Sequence, residues 1–143
     1  MQTTSEKGIE LIKQFEGLRL KAYQCSAGVW TIGYGHTKGV KQGQTITEQE
    51  AERLLKEDLR VFENCLNSVG LVLSQNQFDA LVSFIFNVGA GNFRSSTLLK
   101  KAKINQNDLS ICSEFAKWKF ANKKELPGLV GRRAAEADLY FSK

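Results

Sequence analysis

Thr47 and Glu50 open the segment that most constrains this chain. A Thr followed three residues later by Glu forms a capping box, in which each side chain accepts the other residue's backbone N–H and starts a helix. Behind it Ala51, Leu54, Leu55, Leu59 and Phe62 recur at helical spacing, with Cys65 near the same stripe, to about Asn67. Twenty helical residues span about 30 Å. The chain has 143 residues, enough for one domain with a real core or for two small lobes sharing one site. A rod of that length reads as the connector between lobes.

The segments on either side differ in period. Residues 5–16 predict a helix, with Ile9, Ile12 and Phe15 on one face, Leu11 beside them, and Gly17 placed to end it. From Leu18 to Val40 the period shortens: Leu18, Leu20 and Ala22 alternate with Arg19, Lys21 and Tyr23, Val29–Ile32 is β-branched and aromatic, and Gly28, Gly33, Gly35 and Gly39 punctuate the stretch. This predicts two or three short antiparallel strands. After the rod, Ser74 with Gln77 repeats the capping box. Phe78, Leu81, Val82, Ile85 and Phe86 then make the most apolar helix, expected at the centre of the second lobe. A loop is expected at Gly89–Asn92, a helix from Ser95 or Ser96 to Lys103, and another from Asp108 or Ser110 through Trp118. Leu126–Pro127–Gly128 reads as a turn before a last helix, Leu129–Phe141, with Arg132 and Glu136 as a solvated pair four residues apart. The sum is an α+β chain, a single domain over 1–143. Helix 5–16 packs near a cleft, 17–46 forms a small β lobe, 47–67 the connecting helix and 68–143 a helical lobe.

Composition narrows the function. A hydrophobic share of 42% and a charged share of 24% belong to an ordinary globular protein. The net charge of +5 favours an anionic partner: nucleic acid, anionic lipid or cell wall. With no basic run of five, no RNA-binding signature and no Cys/His finger, nucleic acid is the weaker of these. Three widely spaced cysteines, 25, 65 and 112, argue against a disulfide framework, and Cys65 and Cys112 read as small core residues. One histidine and no ligand spacing argue against a metal, and nothing in the sequence calls for a cofactor. The first residues lack the apolar core of a secretion signal and no apolar run would span a bilayer. The expectation is a chain made and kept in the cytosol, without stable membrane insertion, and let out by something else.

The chemistry concentrates in Phe15–Thr37. It holds one carboxylate, Glu16, then Cys25, Thr31 and the only histidine, His36. Between Glu16 and Glu48 there is no other acid, while Arg19, Lys21, Lys38 and Lys41 are cationic. A lone carboxylate in such company suits a tuned general acid. At the C-terminal end of its helix Glu16 meets the negative end of the dipole, and Phe15 and Leu18 would partly desolvate it; both effects favour the protonated form. Cleaving a glycosidic bond also needs a base, nucleophile or held water. Thr31 in a facing strand could hold a water. A thiol, ordinarily near pKa 8.5, could assist only if lowered, for which a cation such as Lys21 is the expected cause.

FEG-x-x-L-x-x-Y followed by G-x-W-T-I-G-Y-G-H-T resembles the phage-type lysozymes, or endolysins, which hydrolyse bacterial peptidoglycan. Their motif is Glu, eight residues, Asp or Cys, five residues, Thr, which Glu16, Cys25 and Thr31 match with the less common Cys. QFDALVSFIFNVG, the Ser-Thr-Leu-Leu after it and LPGLVGRRAAEADLY extend the likeness to Tyr140. The resemblance implies a lysozyme-like fold and cleavage of the β-1,4 bond between N-acetylmuramic acid and N-acetylglucosamine. It implies Glu16 as acid, Thr31 positioning water and Cys25 assisting. Phe86 and Ser96 would line the sugar cleft, and His36 would brace the loop on its substrate side. Arg132 or Arg133 would reach back to Glu16. A monomer is expected, acting on the wall after a separate holin-like protein permeabilises the membrane. Three alternatives stay open: a lytic transglycosylase on the same polymer, a cysteine peptidase using Cys25 and His36, and a wall-binding module without catalysis.

Overall fold

The computed structural model describes residues 1–143 and begins with helix α1 (Glu6–Glu16). Two strands, β1 (Arg19–Gln24) and β2 (Trp30–Gly33), pair antiparallel with Tyr23 opposite Thr31. Then follow α2 (Glu48–Ser68), α3 (Gln75–Val88), α4 (Ala90–Ser95), α5 (Thr97–Ile104) and α6 (Ile111–Ala116). A two-residue hairpin, β3 (Phe120–Ala121) with β4 (Lys124–Glu125), precedes α7 (Pro127–Tyr140). The architecture is α+β: a small sheet lobe, the long α2, and a mostly helical lobe.

Both capping boxes form. Thr47 Oγ1 accepts the Glu50 N–H at 3.1 Å while Glu50 Oε1 accepts the Thr47 N–H at 3.2 Å. Ser74 and Gln77 repeat this at 3.1 and 3.0 Å. α3 is buried without a break from Gln77 to Ile85, with α1, α2 and α7 against it. A helix covered on every side can be mostly apolar all round, and this one is apart from the buried Gln77, Asp79 and Ser83. Phe84 anchors an edge-to-face cluster with Phe93, Phe115 and Trp118 at centroid separations of 6.4, 5.4 and 5.8 Å.

α1 is pinned to α3 at its start. Asp79 accepts the Ser5 backbone N–H at 3.0 Å and the Ser5 hydroxyl. A Cβ at Gly8 would lie 2.7 Å from the Asp79 side chain, so only glycine admits this approach. With that end fixed and Ile9 and Ile12 buried, the other end of α1 carries Glu16 to a set place.

Several expectations differ from the structure. Leu20 is 44% exposed, because the β1–β2 register shifts between Arg19 and Tyr23 and the alternation slips with it. Ala90–Asn92 is helical: Gly89, at φ +95°, serves α3 as C-cap and α4 as N-cap, leaving no loop between. Pro127 is inside α7 at its first turn, where its fixed φ and missing N–H are tolerated. Cys112 is exposed, since α6 turns Ile111, Glu114 and Phe115 inward instead, while Cys65 is buried. The largest departure is the predicted solvated pair: Arg132 is 3% exposed and Glu136 is fully buried. They lie on the same stripe of α7 as Ala137 and Tyr140, facing α3.

Candidate active site

Glu16 ends α1, and Gly17, at φ +73°, turns the chain away immediately after it. Its side chain is 21% exposed. Oε2 accepts a hydrogen bond from Arg132 Nη1 at 2.5 Å. Oε1 points toward Gly35, where a Cβ would lie 3.4 Å away. At φ +91°, Gly35 both permits the turn and keeps this oxygen uncovered. The oxygen faces a cleft of about 790 Å³ whose walls include Gly35, His36, Asp58, Phe62 and Phe86. A groove of about 730 Å³ on the other side of α1 is similar in size but holds none of the predicted site residues.

His36 forms one wall. Its Nδ1 lies 2.8 Å from Asp58 Oδ2 on α2, and its Nε2 lies 2.9 Å from the Lys38 carbonyl. The ring thereby ties the β lobe to the connecting helix, with both nitrogens occupied. Phe86 forms the opposite side, edge-on to Phe62 at 5.3 Å. Ser96 takes a different place: it is buried as N-cap of α5, accepting the Leu99 N–H at 3.1 Å and donating to the Phe93 carbonyl at 2.7 Å.

Cys25 and Thr31 are close to each other, at the β1–β2 turn and on β2. Neither is among the residues lining the cleft. Thr31 is buried and donates to the Val29 carbonyl at 3.0 Å. The thiol of Cys25 is held below its ordinary pKa, first by the backbone N–H of Val29 and then by that of Ala27, with the Thr31 hydroxyl adding to them. Lys21, the expected cause, is not involved. Gly28, at φ +78°, makes the tight turn that carries Ala27 and Val29 past Cys25. A thiolate is thus favoured by backbone dipoles.

Arg132 is clamped on three sides. Besides Glu16, it donates through Nε to Glu136 Oε2 at 3.2 Å and through Nη2 to the Ser83 carbonyl at 3.1 Å. Glu136 also accepts the Ser83 hydroxyl, and Arg133 Nη2 donates to it at 3.3 Å. Arg133 Nε is 2.8 Å from Glu136 Oε1, an ion-pair contact without hydrogen-bond alignment. The Arg133 guanidinium lies 5.1 Å from the centre of the Phe84 ring. Burial pushes the Glu136 carboxyl up, opposed by Arg133, Arg132 and the Ser83 hydroxyl. Burial likewise lowers Arg133, but a guanidinium stays charged at any pH the fold meets. Sequence reasoning offered Arg132 or Arg133 as the partner of Glu16, of which Arg132 makes the contact, and missed Ser83, the His36 partner Asp58 and the burial of Glu136. The spacing of Arg132, Arg133, Glu136 and Tyr140 was the available signal: it is a core stripe written in charged residues.

The carboxylates of Glu6, Glu10 and Glu52 come within 4.8 Å of one another. Lys13 Nζ stands among them, 2.6 Å from Glu52 and 3.3 Å from Glu10, and Lys56 lies 3.5 Å from Glu6. Two ammonium groups already supply the positive charge a cation would bring.

Residues 13–136 match the phage lysozyme family model. The endolysin of Acyrthosiphon pisum secondary endosymbiont phage 1 is 50% identical, over 96% of this chain and 97% of its own length. Among solved structures, the muramidase domain of SpmX from Asticaccaulis excentricus superposes with a TM-score of 0.91 at 38% identity, covering all of both chains. The lysozyme of Salmonella phage P22 superposes with a TM-score of 0.90 at 40% identity, covering 99% of this chain and 100% of its own.

Proposed function

The chain belongs to the phage lysozyme family and is a muramidase that lyses the bacterial cell wall, and from that premise we propose that Glu16 is its proton donor. The observation that carries this reading is the split role of the Glu16 oxygens: Oε2 is engaged by Arg132, and Oε1 is open to the cleft. Peptidoglycan lying between the lobes would bring a glycosidic oxygen to Oε1, which hands over its proton as the bond to N-acetylglucosamine breaks. Phe86 and His36 flank the sugars, Phe86 by its ring and His36 by holding the wall of the cleft. Thr31 and Cys25 serve the water that completes hydrolysis: Thr31 orients it, and the Cys25 thiolate accepts its proton. Backbone N–H donation to the sulfur supports that last role, since it supplies the charge a carboxylate would otherwise bring. Ser96 has its hydroxyl committed to the α5 cap and contributes by holding the helical wall.

We further propose a monomer that waits in the host cytoplasm until a separate holin-like protein opens the membrane. No helix of the chain is long and apolar enough to cross one.

The test is digestion of purified peptidoglycan by wild type and Glu16→Gln, with mass spectrometry of the products. Wild type is expected to leave reducing N-acetylmuramic acid ends, and the variant to be at least about 100-fold slower, the usual contribution of a general acid. A Glu16→Gln protein retaining a tenth of the activity would remove Glu16 from this role. Anhydro ends would make the reaction a transglycosylation and leave Thr31 without its water.

A further inference from the structure

We infer that Glu136 is a positioning residue for the reaction: it fixes Arg132 so that one arm of the guanidinium holds Glu16 Oε2 and leaves Oε1 as the oxygen turned to substrate. The inference rests on Glu16 being the proton donor. A guanidinium is a rigid planar fork, so fixing two of its nitrogens fixes the third. Here Nε is set by Glu136 at 3.2 Å and Nη2 by the Ser83 carbonyl at 3.1 Å, which leaves Nη1 a single direction, onto Glu16. Glu136 is itself fixed by the Ser83 hydroxyl and Arg133.

Stability alone does not require this arrangement. Well-packed apolar side chains of similar volume usually replace buried ionic groups without loss. α7 already buries Ala137 and Tyr140, so an apolar seam was open to it. What the ionic set adds is direction, and its chain of contacts ends on the acid.

It also adds charge balance. Glu16, Arg132, Glu136 and Arg133 make two anions and two cations. The groups facing Glu136 are Ser83 from α3 and the two arginines of α7. Those around Glu16 are Arg132 and, along the cleft walls, His36, Lys38, Glu57, Asp58 and Arg60. Without the Glu136 charge, two buried guanidiniums would act on Glu16 uncompensated.

The experiment compares wild type, Glu136→Gln and Glu136→Asp, with Glu16→Gln as control. It reads kcat and KM on purified peptidoglycan across pH, with thermal melts as the check on folding. Folded Glu136→Gln should keep KM and lose about 10- to 100-fold in kcat at neutral pH, the scale of a small misplacement of a reacting group. Glu136→Asp keeps the charge but draws the carboxylate back by one methylene, so its kcat should fall at unchanged KM. If Glu136→Gln does not fold, that fall in Glu136→Asp at unchanged KM is the expected result and a wild-type kcat overturns the inference. A Glu136→Gln protein that only melts earlier, with wild-type kcat and pH profile, overturns it too. Failure of both variants to fold would assign Glu136 to the core alone and likewise overturn it. An active Glu16→Gln protein would instead bring down the reading of Glu16, whatever the Glu136 variants do.

Discussion

At Cys25 the backbone does what a neighbouring cation was expected to do. The backbone N–H groups of Val29 and Ala27 hold the thiol below its ordinary value. The thiolate fraction at neutral pH is therefore larger than that of a free cysteine. The pH dependence of Cys25 carboxymethylation, read by peptide mass spectrometry, should have its midpoint below about 8.5, the free-thiol value. Removing the Thr31 hydroxyl with Thr31→Val should move that midpoint upward, since the hydroxyl contributes to the lowering. Glu16, Cys25 and Thr31 were legible as a spaced set of side chains. The donors around the sulfur were not, because they exist only once Gly28 bends the turn at positive φ. Glu136 was illegible for another reason: residue type argued for solvent and spacing argued for the core, and only the packed partner on α3 decides between them.

The elements were easiest to read where side chains declare their own ends. The two capping boxes announced α2 and α3, which begin at the expected residues. The β3–β4 hairpin had no such signal. Its turn residues, Asn122 and Lys123, take φ +51° and +65° without a glycine, and two-residue strands are too short to show a period. α7 joins the helical lobe through Tyr140, whose hydroxyl donates to the Gln106 carbonyl at 2.6 Å beyond α5. Burial pushes this phenol from 10.0 up to about 12. The folded chain thus keeps the proton where the unfolded chain releases it. The stability this adds is complete below pH 10 and is lost as pH rises toward 12. Tyr140→Phe should cost about 1 kcal/mol at neutral pH through the lost hydrogen bond. Urea midpoints measured across pH should also show it losing less stability than wild type between pH 10 and 12.

Over the whole molecule, the net charge of +5 acts on a substrate that is an extended anionic surface. Exposed charges lose their reach once the Debye length shrinks to about 10 Å, near 0.1 M salt. Lysis of isolated walls should therefore slow several-fold from low to physiological salt, whereas cleavage of short soluble glycan fragments should change little. A turbidity assay run beside a fragment assay separates the two, and equal salt sensitivity would assign the effect to the site itself. The lobes and the long helix between them were legible because their periods differ along the chain. The contact between Glu16 and Arg132 was harder to foresee, since 116 residues separate the two in sequence. That separation has a consequence during synthesis. A nascent chain exposes α1 early, yet the arm that orients its carboxylate emerges only with the last helix. The Glu16–Arg132 contact can therefore close only once α7 has been made, and a chain cut before residue 132 would lack it.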